Sequence, residues 1–159
     1  MVVVDTNVLL HAVNRDAPDH AAARETLEGL VNGLEPWALS WSIFYEYLRV
    51  ATHPKVFPAP LTLEQAYRFI VDLMGGARCS VLTETEMHQQ LVATCMRETH
   101  RLSGNLVHDF HTAVLLREHG VKEIITLDTD FKAFSWVKIR PLGGSSPRHD
   151  GETTTVRGV

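Results

Sequence analysis

The chain opens Val2-Val3-Val4-Asp5-Thr6-Asn7-Val8-Leu9-Leu10, and its architecture follows from the change of character at Asp5. Three β-branched residues in an unbroken apolar run read as a strand buried on both faces, the pattern of a parallel sheet covered by helices. Asp-Thr-Asn then supplies the polar chemistry of a helix start, so an α/β unit begins within the first few residues.

The same alternation continues along the chain. After a turn at Asn14 to Pro18, a helix is expected from about Asp19 to Val31, weakened by Gly29 and ended by Gly33. A short strand WALS leads to a helix from about Ser42 to Thr52, stopped by His53-Pro54. On it Ile43, Phe44, Tyr47, Leu48 and Ala51 form the apolar stripe, while Glu46, Arg49 and His53 share another face. Thr62 with Gln65 makes a capping box for a helix to Met74, with Leu63, Ala66, Phe69, Ile70 and Leu73 as its buried face.

Residues 78–82 read as a strand, and Thr83 with Glu86 as the cap of a helix to about His100 that stacks Met87, Leu91 and Cys95. A helix follows from Leu106 to His119, closed by Gly120. EIITLD is then a strand, DFKAF a turn or short helix, and WVKIRPL an edge strand limited by Pro141. The fold class is therefore α/β with a mainly parallel sheet, in one domain over residues 1–142. Residues 143–159 lack periodicity and are expected to form a flexible tail.

With 159 residues and 45% hydrophobic content, the chain can bury a core without staples. Its two cysteines, Cys79 and Cys95, are too far apart for a C-x-x-C motif, and no secretory leader pattern opens the chain, so a cytoplasmic location is expected. No apolar run reaches the roughly 18 residues of a membrane span. A net charge of −4 argues mildly against a nucleic-acid partner. A nuclease that gathers acids around a metal carries a negative site by construction, however, and needs only a local basic rim.

In open parallel sheets the functional crevice lies beyond the carboxyl ends of the strands. Asp5 and Asp128 each follow a strand directly, Asp109 falls in the first turn or so of its helix, and Glu46 lies on the helix after WALS. Each also has an ordinary reading: Asp5 as an N-cap, Asp109 as a helix-dipole partner, Asp128 and Asp130 as turn formers, Glu46 as a solvated helix residue. Their joint placement at one sheet edge favours a shared site. Like charges at ~4 Å and an effective dielectric of ~20 repel by about 4 kcal/mol, so a hard divalent cation, Mg²⁺ or Mn²⁺, is the natural counterpart. Such an ion activates water and offsets charge on a phosphoryl oxygen.

The segments VVVDTNVLL, FYEYLRVATHP, GNLVHDFHTAVLLREHG and IITLDTDFKAF, in this order, resemble the PIN-domain family. With EYLRVATHPKVF and WVKIRPL they are similar in particular to the VapC-type ribonuclease toxins of type II toxin–antitoxin systems, in the branch abundant in mycobacteria. The likeness spans about residues 1 to 142. It implies a three-layer α/β/α fold, metal-dependent endoribonuclease activity with Mg²⁺ or Mn²⁺, an RNA substrate, a cognate antitoxin and a homodimer. It carries the metal-site acids onto Asp5, Glu46, Asp109 and Asp128, with Asp130, Thr6, Asn7 and Thr126 in support.

Arg49, His53 and Lys55, clustered at the end of the Glu46 helix, are candidate holders of substrate phosphates, against the equal alternative of a solvated basic helix end. His108 and His111 invite a zinc reading that no further Cys or His completes in sequence. Cys79 and Cys95 lie in apolar contexts that fit burial. The competing functions are a phosphatase using Asp5 as nucleophile, disfavoured because Asn7 stands where a D-x-D strand end needs a second acid, and a non-catalytic RNA- or protein-binding module. Neither a P-loop nor a G-x-S-x-G elbow is present.

Overall fold

The computed structural model describes residues 1–57, 59–100 and 102–143, so the expected tail lies, beyond Gly143, outside the described residues. Its centre is β1 (Val2–Val4), whose three valines are fully buried. β1 pairs in parallel with β2 (Trp37–Ser40) on one side and β4 (Glu123–Ile125) on the other. β3 (Cys79–Leu82) and β5 (Lys138–Arg140) close the two edges, giving the order β3-β2-β1-β4-β5 with every pairing parallel. Interior strands covered on both faces need no polar alternation, which is why VVV and WALS are buried at every position.

Six helices cover the sheet among the described residues: α1 (Thr6–Val13), α2 (His20–Asn32), α3 (Trp41–Ala51), α4 (Leu63–Met74), α5 (His88–Glu98) and α6 (Leu106–Glu118). α1 packs on α2 and α3, α3 on α4, and α5 on α6, in the three-layer α/β/α arrangement. α6 buries Phe110, Thr112, Ala113, Val114, Leu115 and Leu116, nearly its whole circumference. Gly120 closes it in the left-handed region at φ 66°, as the C′ position requires. At Gly33 the need for glycine is close approach instead, because a Cβ would lie 2.4 Å from the Gly29 carbonyl oxygen.

The structure departs from the sequence reading at several elements. Thr83 and Glu86 do not cap a helix: α5 begins only at His88, and its N-cap Met87 makes no side-chain capping bond. The preceding residues bond instead to the end of α6, with His119 Nε2 at 2.8 Å from the Thr83 carbonyl oxygen and the Thr85 N–H donating to Glu118 at 2.7 Å. Met87 is exposed as a result, although Cys95 is buried as expected. Leu63 lies outside the core at the exposed start of α4, where it shares an apolar groove with Phe44, Tyr45 and Tyr67.

β4 is shorter than EIITLD. Val4, the last residue of β1, is paired with Ile125, and Asp5 N–H donates to the Ile125 carbonyl at 3.0 Å. With no further partner strand, residues 126–128 leave the sheet and their polar groups turn to the neighbouring strand end. β5 spans only Lys138–Arg140, and Arg140 pins this edge by a fork to both Glu35 oxygens at 2.8 and 2.7 Å and a bond to Glu123 at 2.5 Å.

Candidate active site

Because all strands run the same way, β1 and β4 release their next residues at the same edge of the sheet, and β2 delivers α3 there. Asp5 sits where β1 becomes α1. Its Oδ1 accepts the Thr6 N–H at 2.7 Å, so it does cap the helix, while Oδ2 accepts the Thr126 hydroxyl at 2.6 Å and Asn7 Nδ2 at 2.8 Å. The N-cap reading therefore holds at Oδ1, while Oδ2 is held toward the end of β4.

Thr126 spends its whole hydrogen-bonding capacity here: it donates to Asp5 and accepts from Asn7 Nδ2 and from the Asp128 N–H, each at 2.9 Å. Asn7 in turn accepts the Leu127 N–H at 3.1 Å. The DTN motif thus grips the strand that leaves β4, although some 120 residues separate them. Thr6 donates to Glu46 Oε2 at 2.9 Å, tying α3 to the same point. Asp128 Oδ1 accepts the Asp130 N–H at 2.8 Å, at the start of a short 3₁₀ turn (Asp130–Ala133).

Asp109, in the first turn of α6, completes the cluster. Oxygen atoms of Asp109, Asp128 and Asp130 lie within 4.8 Å of one another. Asp5, Glu46 and Asp109 line an open cleft of about 510 Å³ together with Ser42, Tyr45, Arg49, His108 and Thr112. The sequence-predicted acids are therefore brought together, with Thr6, Asn7 and Thr126 bonded behind them.

Arg49 lines this cleft and approaches Glu46, Nη2 to Oε1 at 3.7 Å. His53 and Lys55 do not line it; His53 Nδ1 accepts the Lys55 N–H at 3.1 Å in the turn after α3. Tyr45, Ser42 and Thr112 were not picked out from sequence, since a tyrosine, serine or threonine on an amphipathic helix carries no chemical signature until its face is known.

The electrostatics report crowding. Burial pushes the Asp5 carboxyl up to about 6, aided by Glu46 and Asp128, even though the Thr126 and Thr6 hydrogen bonds pull it down. Asp109 is pushed up to about 7, by burial first and then by Asp5, Asp128, Glu46 and Asp130. Carboxylates that resist ionising beside one another call for a cation, and an all-oxygen donor set fits a hard divalent ion.

A parallel five-stranded sheet with carboxylates converging past its central strands defines the class. Residues 2–137 match the PIN domain, and the chain belongs to that family. Among curated relatives, ribonuclease VapC37 of Mycobacterium tuberculosis is 32% identical over 138 residues, covering 87% of this chain and 94% of the relative. The solved structure of Mycobacterium tuberculosis VapC20, described as a sarcin-ricin loop cleaving toxin, superposes with a TM-score of 0.62 at 18% identity, over 89% of this chain and 100% of that one. VapBC2 from Rickettsia felis, solved bound to a DNA fragment from its promoter, gives 0.61 at 18% identity, over 89% and 99% of the two chains. These two structures bear on the fold.

Proposed function

We propose that this chain is a metal-dependent endoribonuclease and the toxin component of a type II toxin–antitoxin system. The observation that carries this reading is the convergence of Asp5, Glu46 and Asp109 on one open cleft, with Asp128 beside Asp109, in a chain similar along most of its length to VapC ribonucleases. Asp5, Asp109 and Asp128, with Asp130 beside them and Glu46 opposite, would hold Mg²⁺ or Mn²⁺. Bound there, such an ion supplies Lewis acidity toward a phosphoryl oxygen and lowers the pKa of water.

The protein's own groups do the rest. Thr126 and Asn7 hold Asp5 Oδ2 from behind, so that the carboxylate cannot swing out of the cleft. Thr6 orients Glu46 at Oε2 and leaves Oε1 toward Arg49. Glu46 would thereby help to hold an ion or position the water, and Arg49 would meet the phosphate backbone of the RNA; His53 and Lys55 would extend that basic rim outward along the helix end. No covalent enzyme intermediate is required. A nucleophilic Asp5, as in a phosphatase, fits poorly, since Asn7 stands where a second acid would be needed and is bonded to Asp5 Oδ2 at 2.8 Å.

A cognate antitoxin is the expected partner, docking on the apolar surface of α2 and α3; the exposed apolar groove of Phe44, Tyr45, Leu48, Leu63 and Tyr67 lies on the other side of α3, against α4. A homodimer, a nuclease domain bounded at residue 142 and a cytoplasmic location complete the proposal. No helix among the described residues is long and apolar enough to cross a membrane.

The test is cleavage of RNA with Mg²⁺ or Mn²⁺, with and without chelator, beside Asp5→Asn and Asp109→Asn. Both variants should lose roughly 100-fold or more of the activity. Metal-independent cleavage, or full activity in both variants, would falsify the assignment.

A further inference from the structure

A second set of ligating side chains lies between the loop after β3 and helices α5 and α6. One ligand atom each from Glu84, His88 and His111 falls within 4.8 Å of the other two. His111 Nε2 is 2.9 Å from Glu84 Oε1, and the His88 and His111 rings meet edge to face with centroids 5.5 Å apart. His111 had a candidate zinc partner in His108, but the tertiary structure sends His108 to the acidic cleft and supplies His88 and Glu84 instead.

Behind these three residues stands Glu118, with its side chain only 1% exposed. Its Oε2 lies 2.6 Å from His88 Nδ1, while Oε1 accepts the Thr85 backbone N–H at 2.7 Å and the Thr85 hydroxyl. A carboxylate buried at the last residue of a helix is opposed by both desolvation and the helix dipole, so it persists only where donors are fixed around it. Here they are, and the effect is to lock the His88 ring with Nδ1 as the donor. Its Nε2 lone pair is then the free ligand, the carboxylate–histidine relay that orients metal-binding imidazoles.

We propose that Glu84, His88 and His111 form a second metal site, selective for a zinc-class divalent ion, with Glu118 positioning His88. Two imidazoles and one carboxylate, with a water as fourth ligand, suit zinc and disfavour magnesium, which takes oxygen donors. The ion ties together the 83–87 loop, α5 and α6. This site shares no ligand with the acidic cleft and stands whether or not that cleft cuts RNA.

The test uses the full chain carrying Asp109→Asn, which disables the acidic cleft, stripped with chelator and titrated with Zn²⁺ by calorimetry. One Zn²⁺ per chain should bind and raise the melting temperature. Adding His88→Gln, His111→Gln or Glu84→Gln should weaken binding at least ~10-fold, and Glu118→Gln by about 10–100-fold. Glu84 is exposed, so its variant folds even if a histidine variant does not. In the unmutated chain, Zn²⁺ should shift the His88 and His111 ring resonances, and Co²⁺ should show visible bands of a low-coordinate site. The proposal is overturned if Zn²⁺ is lost with Asp109→Asn alone, if Glu84→Gln and His111→Gln bind it as before, or if those two rings do not respond. The last outcome would leave two His–Glu ion pairs and no site.

Discussion

The Thr126 hydroxyl donates to Asp5 Oδ2 at 2.6 Å, joining the ends of two adjacent strands that stand 121 residues apart in the chain. That hydroxyl also accepts from Asn7 and from the Asp128 backbone, so one small side chain sets the spacing of two acids.

Thr126→Val keeps the shape and removes all three bonds. It leaves buried polar partners unpaired and lets Asp5 and Asp128 drift, so cleavage should fall roughly 10–100-fold. Thr126→Ser should retain most of the activity. Wild-type rates in Thr126→Val, measured on one RNA substrate at saturating Mn²⁺, would show that the hydroxyl has no positioning role.

The raised carboxyls make the metal-free protein sensitive to pH. Asp5 and Asp109 titrate at about 6 and about 7 in the fold. An unfolded aspartate titrates near 3.9. The folded state therefore binds these protons more tightly; the stability they contribute is present below pH ~4 and lost as pH rises through ~7. Asp109→Asn without metal should exceed metal-free wild type by on the order of 2 kcal/mol at pH 8, or about 5 °C in Tm, a gap that closes toward pH 4. A constant gap across that range would mean that Asp109 does not titrate as described.

Divalent metal should erase the same penalty. On the proposed function Mn²⁺ would bind the assembled cleft and not the unfolded chain, so saturating ion should raise the Tm of wild type at pH 8, and chelator should reverse the rise. In Asp109→Asn the Mn²⁺-dependent shift should shrink to a small fraction. An equal shift in both proteins would place the ion elsewhere.

At the β5 edge of the sheet, Arg140 is 11% exposed at its side chain and bonded to Glu35 and Glu123. Arg140→Ala removes the fork to Glu35 and the bond to Glu123, while Lys138 stays with Glu123, and should destabilise the fold by about 1–2 kcal/mol, with β5 the first element to exchange its amide protons. A loss well under 1 kcal/mol on denaturant unfolding would reduce this network to surface decoration.

Much of the fold is legible in local pattern. VVV is a two-faced strand because its neighbours leave no side open to water, and Thr62 with Gln65 forms the reciprocal capping box the motif announces. Thr83 with Glu86 carries the same motif and does not cap, because bonds to Glu118 and His119, more than thirty residues away, claim the segment first. Leu63 obeys helical periodicity and is still exposed, since periodicity locates a face and not the element that covers it.

The amino-acid sequence by itself determined the strands, the helices and which acids follow them, because backbone propensity and capping act over a few residues. Only the tertiary structure decided which acids meet: the order β3-β2-β1-β4-β5 places the ends of β1 and β4 side by side. It also gathered Glu84, His88 and His111, which no spacing rule connects. The physical reason is that hydrogen bonds and charge act through space over a few ångströms. Which residues come that close is settled by burying an entire sheet between two layers of helices.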